Sequence, residues 1–400
     1  MILRGVSNPN IWFERDGLLR YREIEKTGAN VVRIVWNTTG TADELDTAVT
    51  NCINLGMIPM VELHDATGNW NKLQFCVNYW TREDIADVII KNEKYLLLNI
   101  ANECGNYFVT LNAFKTGYES AIMKIREAKI HVPLVIDGTD WGKNINILQS
   151  QGPYLIEADP DHNLIFSVHM WWPKMYGFSE SNIEKEIKQS VEMDLPLIVG
   201  EFSQMHGSCD DDKITPNNAI PYRTIIKQCY LYEIGWIAWS WFGNCNPLWD
   251  MTSDGTYDQL YDWGLEVAVT DSYSIQNTSV RPYSITHGSC QPAVVENLVN
   301  MIPPSSSILS QNFPNPFNSN TQIHYAVADP AHVTLAIIDM QGNEVKILVN
   351  SAISPGSYTI QWDGQNDGGE VVANGTYLYL MTVRQNGDIF KKVKKLILLK

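Results

Sequence analysis

Residues 95–103 read YLLLNIANE, an apolar run of strand length that ends on an amide, Asn102, and an acid, Glu103. A near-continuous apolar run marks a strand buried on both faces, which is what a parallel sheet covered by helices requires. The run at 195–201, LPLIVGE, has the same form and also ends on an acid, Glu201. Working outward, comparable runs lie at 2–6, 30–35, 57–64, 132–137, 164–169 and 234–240, which makes eight in all. They recur at the roughly thirty- to forty-residue spacing of βα units. Segments of helical character fall between them at 42–55, 83–90, 113–128, 181–191 and 222–232. The alternation predicts an α/β fold, a (β/α)8 TIM barrel over 1–288. An open sheet binding a dinucleotide would carry G-x-G-x-x-G after its first strand, and that motif is missing there.

Bulk composition narrows the function classes. The chain of 400 residues is 44% hydrophobic and 18% charged, enough apolar material for one large core and a smaller one. A formal charge of −16 leaves no basic field to attract phosphate backbones or anionic lipid, so no nucleic-acid or membrane-surface partner is expected. No apolar run is long enough to be an integral membrane segment. Thirteen Trp and eighteen Tyr offer flat faces that stack on pyranose rings, with a Trp-rich core as the alternative. The seven Cys form no C-x-x-C pair and no Cys/His cluster of zinc spacing, so neither a metal nor a cofactor is expected. Their odd number leaves at least one unpaired, and Cys52 and Cys104 read as free and buried. The opening ILRGVSNPNIWF lacks the charged and apolar regions of a signal peptide, which leads to the expectation of a trimmed chain.

In a (β/α)8 barrel, side chains at the C-terminal ends of the strands form the active site. Strand two, VVRIVW, carries Arg33; strand three ends on His64 and Asp65; strand four on Asn102 and Glu103. Strand six ends on His169, Trp171 and Trp172, strand seven on Glu201, and strand eight carries Trp239 and Trp241. A charged residue at the end of a buried strand is costly unless it is paired or used. Two acids across a barrel mouth suit retaining glycoside hydrolysis, with Glu201 as nucleophile and Glu103 as acid/base. Their carboxyl groups should then lie about 5–5.5 Å apart, whereas about 6.5–9.5 Å would predict inversion. Membership of a structural ion-pair network is the alternative for both.

The ANE at 101–103, the GEF at 200–202, His64 and His169 resemble glycoside hydrolase family 5, within the large 4/7 superfamily of retaining barrels. The runs RGVSNPNIWF, VELHDATG, SVHMWWP, LIVGEFS and GWIAWSWFGN are similar to its bacterial β-mannanase subfamily, and the likeness covers roughly residues 1–285. The resemblance implies a retaining endo-β-1,4-mannanase acting on mannan, glucomannan or galactomannan. An endo-β-1,4-glucanase and a non-catalytic polysaccharide-binding surface protein are the alternatives. It further implies that Asn102 binds the sugar 2-hydroxyl, that Arg33 supports Glu201, that His64 and His169 line the −1 subsite, and that Trp239 forms its floor. A barrel ion pair for Arg33 and core positions for the two histidines are the competing readings.

Two departures stand out. Trp171 occupies the place where the family usually has a Tyr touching the nucleophile, and an indole donates a hydrogen bond but accepts none. Cys104 stands where related mannanases tend to carry a larger residue, which predicts a more open cleft on the +1 side. Trp70, Trp141, Trp172 and Trp249, on loops after strands, are candidate platforms for flanking sugars or else core residues.

Beyond the barrel the character changes. A Pro-Pro-Ser-Ser-Ser linker is predicted within 289–307, then a small all-β immunoglobulin-like sandwich over 308–400. Its alternating runs are separated by turn signals at 341–343, 366–369 and 386–387. The opening LSQNFPNPFNSNTQIHYAV and the closing KKVKKLILLK together resemble the type A sorting domain of the type IX secretion system. That resemblance implies a partner in the secretion machinery and a secreted or cell-surface protein of a Gram-negative bacterium. An accessory sandwich with a charge-protected edge strand is the alternative.

Overall fold

The computed structural model describes residues 2–282, 285, 307–309, 312, 315, 317–318, 320–385 and 388–399. Strands β1 (Arg4–Asn8), β2 (Val31–Trp36), β3 (Ile58–Leu63), β4 (Leu97–Asn99), β5 (Leu134–Asp137), β6 (Leu164–His169), β7 (Leu197–Glu201) and β8 (Gly235–Ala238) pair in parallel in sequence order. β1 also pairs with β8, so the sheet closes into a barrel. The connections between the strands carry α1 (Leu18–Glu25), α2 (Ala42–Asn54), α3 (Leu73–Trp80), α4 (Glu83–Lys91), α5 (Leu111–Glu127), α6 (Ile145–Ala158), α7 (Glu180–Glu192) and α8 (Tyr222–Leu231), and two four-residue helices, Asp262–Leu265 and Ile275–Thr278, follow β8.

Three of those helices, α1, α3 and α6, escape the sequence pattern for physical reasons. Helix α1 buries only Tyr21 and Ile24, too few for a visible stripe. Helix α3 is two turns long and largely apolar, so its periodicity is weak. Helix α6 contains Gly152 and Pro153 in its interior, the residues that ordinarily signal a break. Strand ends also move. His64 opens a 3-10 turn instead of closing β3, Asn102 and Glu103 stand on the turn beyond the three-residue β4, and Trp239 follows the end of β8.

The barrel interior is stacked in layers. Val31, Met60, Leu97, Val135, Ile198 and Ile237 belong to one buried apolar cluster inside it. Because strand side chains alternate, residues two positions further along share the same face. Arg33 therefore lies above Val31, Glu62 above Met60, Asn99 above Leu97, and Asp137 above Val135. All four are fully buried. A polar, charged layer thus caps an apolar plug at the end where the strands' C-termini gather.

The chain divides into two compact units, Met1–Pro292 and Ala293–Lys400. In the second, β9 (Ile308–Leu309), β10 (Thr321–Val327) and β13 (Gly356–Trp362) form one antiparallel sheet in the order β13-β10-β9. The other sheet orders β12 (Glu344–Ile353), β11 (Ala331–Ile338), β14 (Gly375–Gln385) and β15 (Asp388–Leu398) as β12-β11-β14-β15. Val333, Leu335, Trp362, Tyr379 and Leu396 are buried in its core. The predicted linker except Ser307, the 288/289 boundary, the turn at 386–387 and Cys290 lie outside the described residues. Among those described, no helix is long and apolar enough to cross a membrane.

Cys209, in the loop after β7, is disulfide-bonded to Cys245, in the loop after β8; Cys52, Cys76, Cys104 and Cys229 are free and buried. The Asn246 amide donates to the carbonyls of Ser208 at 2.7 Å and Asp211 at 3.0 Å, so the two loops are laced together. The bridge closes a sequence separation of 36 residues. Reduction should cost the barrel about 2–4 kcal/mol by freeing the unfolded chain. Denaturation midpoints with and without dithiothreitol test this, and a Cys209→Ser, Cys245→Ser variant should match the reduced protein.

Candidate active site

The upper layer of the barrel is built around Arg33. Its Nη1 donates to Oε1 of Glu201 at 2.7 Å and lies 3.8 Å from Oε1 of Glu62; Nη2 lies 3.9 Å from Oδ2 of Asp137 and donates to Oδ1 of Asn102. A fully buried guanidinium survives only with such compensation. Burial works against its charge, but Glu62, Glu201 and Asp137 outweigh it and hold the proton more tightly than usual.

His169, at the end of β6, joins the two acids. Its Nδ1 is 2.9 Å from Oε1 of Glu103 and 3.5 Å from Oε2 of Glu201, while its Nε2 faces Oδ2 of Asp137 at 3.6 Å. Burial disfavours the imidazolium, but Glu201 and Asp137 more than offset this and push its pKa up to about 10. The ring fits because two neighbours lack side chains. A Cβ on Gly142 would come within 2.5 Å of the imidazole, and one on Gly200 within 3.0 Å of Nε2. Gly142 also holds φ at +75°, a conformation that favours glycine.

The acids themselves are close. One oxygen of Glu103, one of Glu201 and a ring nitrogen of His169 all lie within 4.8 Å of one another. Glu103 adopts φ +48°, and its backbone is tied on both sides: its N–H donates to Asp137 at 2.9 Å, and its C=O accepts from Gly68 at 2.9 Å. Glu201 is buried, which pushes its carboxyl up from the ordinary value, while His169 and Arg33 pull it back. The three donor atoms are near enough to hold a cation, yet such an ion would have to displace the His169 proton and sit beside the Arg33 guanidinium.

Residues 3–244 match the family described as Cellulase (glycosyl hydrolase family 5). The chain belongs to glycosyl hydrolase family 5. A mannan endo-1,4-beta-mannosidase of Salipaludibacillus agaradhaerens is 31% identical over 291 residues, 70% of this chain and 88% of that protein. One of Cellvibrio japonicus is 30% identical over 302 residues, 72% of this chain and 66% of its own length. Among solved structures, a mannotriose complex of Thermomonospora fusca beta-mannanase superposes with a TM-score of 0.62 at 27% identity, covering 70% of this chain and 92% of that one. Residues 316–387 match the FlgD Ig-like domain.

The other predicted residues of the family 5 site gather around this centre. Asn102 is buried, accepts from Arg33, and donates to Oγ1 of Thr67 at 2.8 Å. His64 is held by Oε1 of Glu62 at 2.9 Å and stacks on Trp239, with ring centroids 5.6 Å apart. Burial opposes the His64 charge, but Glu62 and then Glu201 raise its pKa. Trp239 in turn donates to Asn244 at 3.0 Å. Trp171 donates its indole N–H to Oε2 of Glu201 at 3.1 Å, filling the position of the expected Tyr with a group that cannot accept.

Trp141 stands 39% exposed on the loop after β5, where it can meet a ligand, with Nζ of Lys143 5.3 Å from its ring. Trp249 is half-buried and packs edge-on against Trp171. The other two candidates take the packing alternative, Trp70 partly buried against the core and Trp172 within it. Trp70 packs on Phe114 and Tyr118, and Trp172 is fully buried and stacked on Phe178 at 4.6 Å. Cys104 is likewise buried, its thiol facing the carbonyls of Asn69 at 3.6 Å and Trp70 at 3.9 Å.

Three participants lie outside the sequence-level list. Asp137 ends the apolar run LVID and Glu62 sits two residues before His64, so both follow the pattern of a charge closing a buried strand. Trp12, 51% exposed, meets His64 edge-on at 5.2 Å, a contact with no local sequence signal. Replacing Trp171 with Phe removes the N–H facing Glu201, a hydrogen bond to a charged group of about 1.5–3 kcal/mol. The expected result is a roughly 10- to 100-fold lower kcat/KM, with the acid limb of its pH profile moved upward.

Proposed function

We propose that the protein is a retaining endo-β-1,4-mannanase that hydrolyses internal bonds of mannan, glucomannan or galactomannan. One observation carries the reading: oxygens of Glu103 and Glu201 within 4.8 Å, bridged by His169 at the barrel mouth. Oxygens this close suit an acid pair acting directly on either side of one glycosidic bond, the nearer of the two arrangements glycosidases use. The substrate class is supported by the relatives named mannan endo-1,4-beta-mannosidase and by the β-mannanase structures.

In this reading an ionised Oε of Glu201 attacks the anomeric carbon while protonated Glu103 gives its proton to the departing glycosidic oxygen. The C–O bond to the leaving sugar breaks as the ester to Glu201 forms. Glu103, now a carboxylate, takes a proton from water, whose oxygen displaces Glu201 from the same carbon and restores both acids. Arg33 and the Trp171 N–H hold the charge on Glu201 between turnovers. Asn102 keeps a second N–H and a second lone pair free for the 2-hydroxyl after its bonds to Thr67 and Arg33. Trp239, backed by His64, offers the −1 sugar an aromatic floor.

An endo-β-1,4-glucanase is the second reading, suggested by a Caldicellulosiruptor saccharolyticus relative named beta-mannanase/endoglucanase A, 30% identical over 65% of this chain and 19% of that protein. Reducing-end release should be fastest on glucomannan and galactomannan and slow on carboxymethylcellulose; the reverse order selects the glucanase. Fresh products from mannohexaose should carry the β-anomer by NMR, and Glu201→Ala should abolish turnover. Because burial raises the Glu201 carboxyl and the attacking form is the anion, activity should fall on acidification at a pH above the ordinary carboxylate value of 4.5.

For the second unit we propose type IX secretion sorting, and hence a secreted or cell-surface location outside a Gram-negative cell. The match to an Ig-like domain supports the fold, and the paired LSQNFPNPFNSN and KKVKKLILLK motifs support the sorting role. In a host with that system, the full chain should reach the medium or outer surface while a chain lacking 308–400 stays inside; equal export of both would refute the assignment.

A further inference from the structure

Asp137, which the reading of strand ends did not single out, reaches the backbone of Glu103, the ring of His169 and the guanidinium of Arg33. It ends β5, is fully buried, and its Oδ1 is fixed by the Asn99 amide at 2.6 Å. That leaves Oδ2 to accept the backbone N–H of Glu103 at 2.9 Å, with Nε2 of His169 3.6 Å away and Nη2 of Arg33 3.9 Å away.

Glu103 needs such an anchor. A non-glycine residue at φ +48° is held only where its surroundings over-determine it. Here the two ties are the Gly68 N–H on its carbonyl and Asp137 on its amide. His169 needs one too. Glu103 and Glu201 both approach its Nδ1, and its Nε2 has no partner at hydrogen-bond distance, so Asp137 is the charge that faces the far side of the ring.

We propose that Asp137 is a positioning residue that sets the Glu103 backbone and the His169 imidazole as one unit, so that the acid/base and the group bridging it to the nucleophile keep a fixed relation through the cycle. The inference deepens the retaining-hydrolase reading and rests on it. Around His169 the facing charges are Glu103 from the turn after β4, Asp137 from β5 and Glu201 from β7, with Arg33 from β2 behind them. Asp137→Asn keeps one acceptor oxygen for the Glu103 N–H, gives up the acceptor that faces the Asn99 amide, and removes the charge opposite Nε2 of His169. Asp137→Ala removes all three.

The test combines kinetics on glucomannan with NMR of the His169 ring nitrogens. Asp137→Asn should lower kcat roughly 10- to 100-fold with KM within about twofold, and bring the alkaline limb of kcat/KM down by about one pH unit or more. Asp137→Ala should lose more, because the Glu103 turn also slackens. In the parent protein, the His169 nitrogens should stay in the imidazolium form through neutral pH, and Asp137→Asn should lower the pH at which they change. A parent His169 that is neutral at pH 7 overturns the proposal, even if the variants do not fold. So does a folded Asp137→Asn with unchanged pH profile and His169 titration. A parent that fails to hydrolyse any mannan contradicts the functional reading instead, and the nitrogen titration still reports on Asp137.

Discussion

The bond between Arg33 and Glu201 is the constraint on which the site depends. Both groups are buried, and taking such charges out of water costs several kcal/mol each unless geometry returns it. The 2.7 Å contact returns part, and Glu62, Asp137 and Asn102 complete the shell. Removing any one of these partners leaves charge uncompensated in a place water does not reach. The same low-dielectric setting strengthens every remaining interaction with Glu201.

The barrel makes this arrangement possible by alternation. β2, β3, β4 and β5 each contribute an apolar side chain to the plug and, two residues on, a polar one to the layer above, as with Val31 and Arg33 or Val135 and Asp137. The apolar plug stabilises the fold, and the polar layer is built on its rigid strands. The loops above are then tied to one another: Trp141 N–H to the Gly105 carbonyl, Gly68 to Glu103, and Cys209 to Cys245. Catalytic side chains placed on strand ends, with loops laced over them, are held more closely than loops alone would hold them.

Much of this was legible from residue order, because burial leaves a mark that chemistry then interrupts. Glu103 and Glu201 stand out as acids closing apolar runs, and the eight runs themselves appear through continuous hydrophobicity. Asp137 and Glu62 carry that same mark, but they contact backbone or other side chains below the cleft, and nothing local distinguishes such an acid from a barrel ion pair. Helix α6 is hidden by its internal Gly-Pro, since tertiary packing overrides propensity there. The aromatic residues are the least legible class. Trp141 and Trp172 both follow strands, yet one is 39% exposed and the other is sealed under Phe178, a difference set by long-range packing.

Retaining hydrolysis as proposed requires Glu201 to form a covalent bond to the sugar while Glu103 handles protons. Incubation with a 2-deoxy-2-fluoro-β-mannosyl or β-mannobiosyl donor bearing a good leaving group, followed by mass spectrometry of proteolytic peptides, addresses this directly. The predicted result is one fluorosugar added per active chain, located on Glu201. An adduct on Glu103, or full turnover with no adduct on any carboxylate, would contradict it.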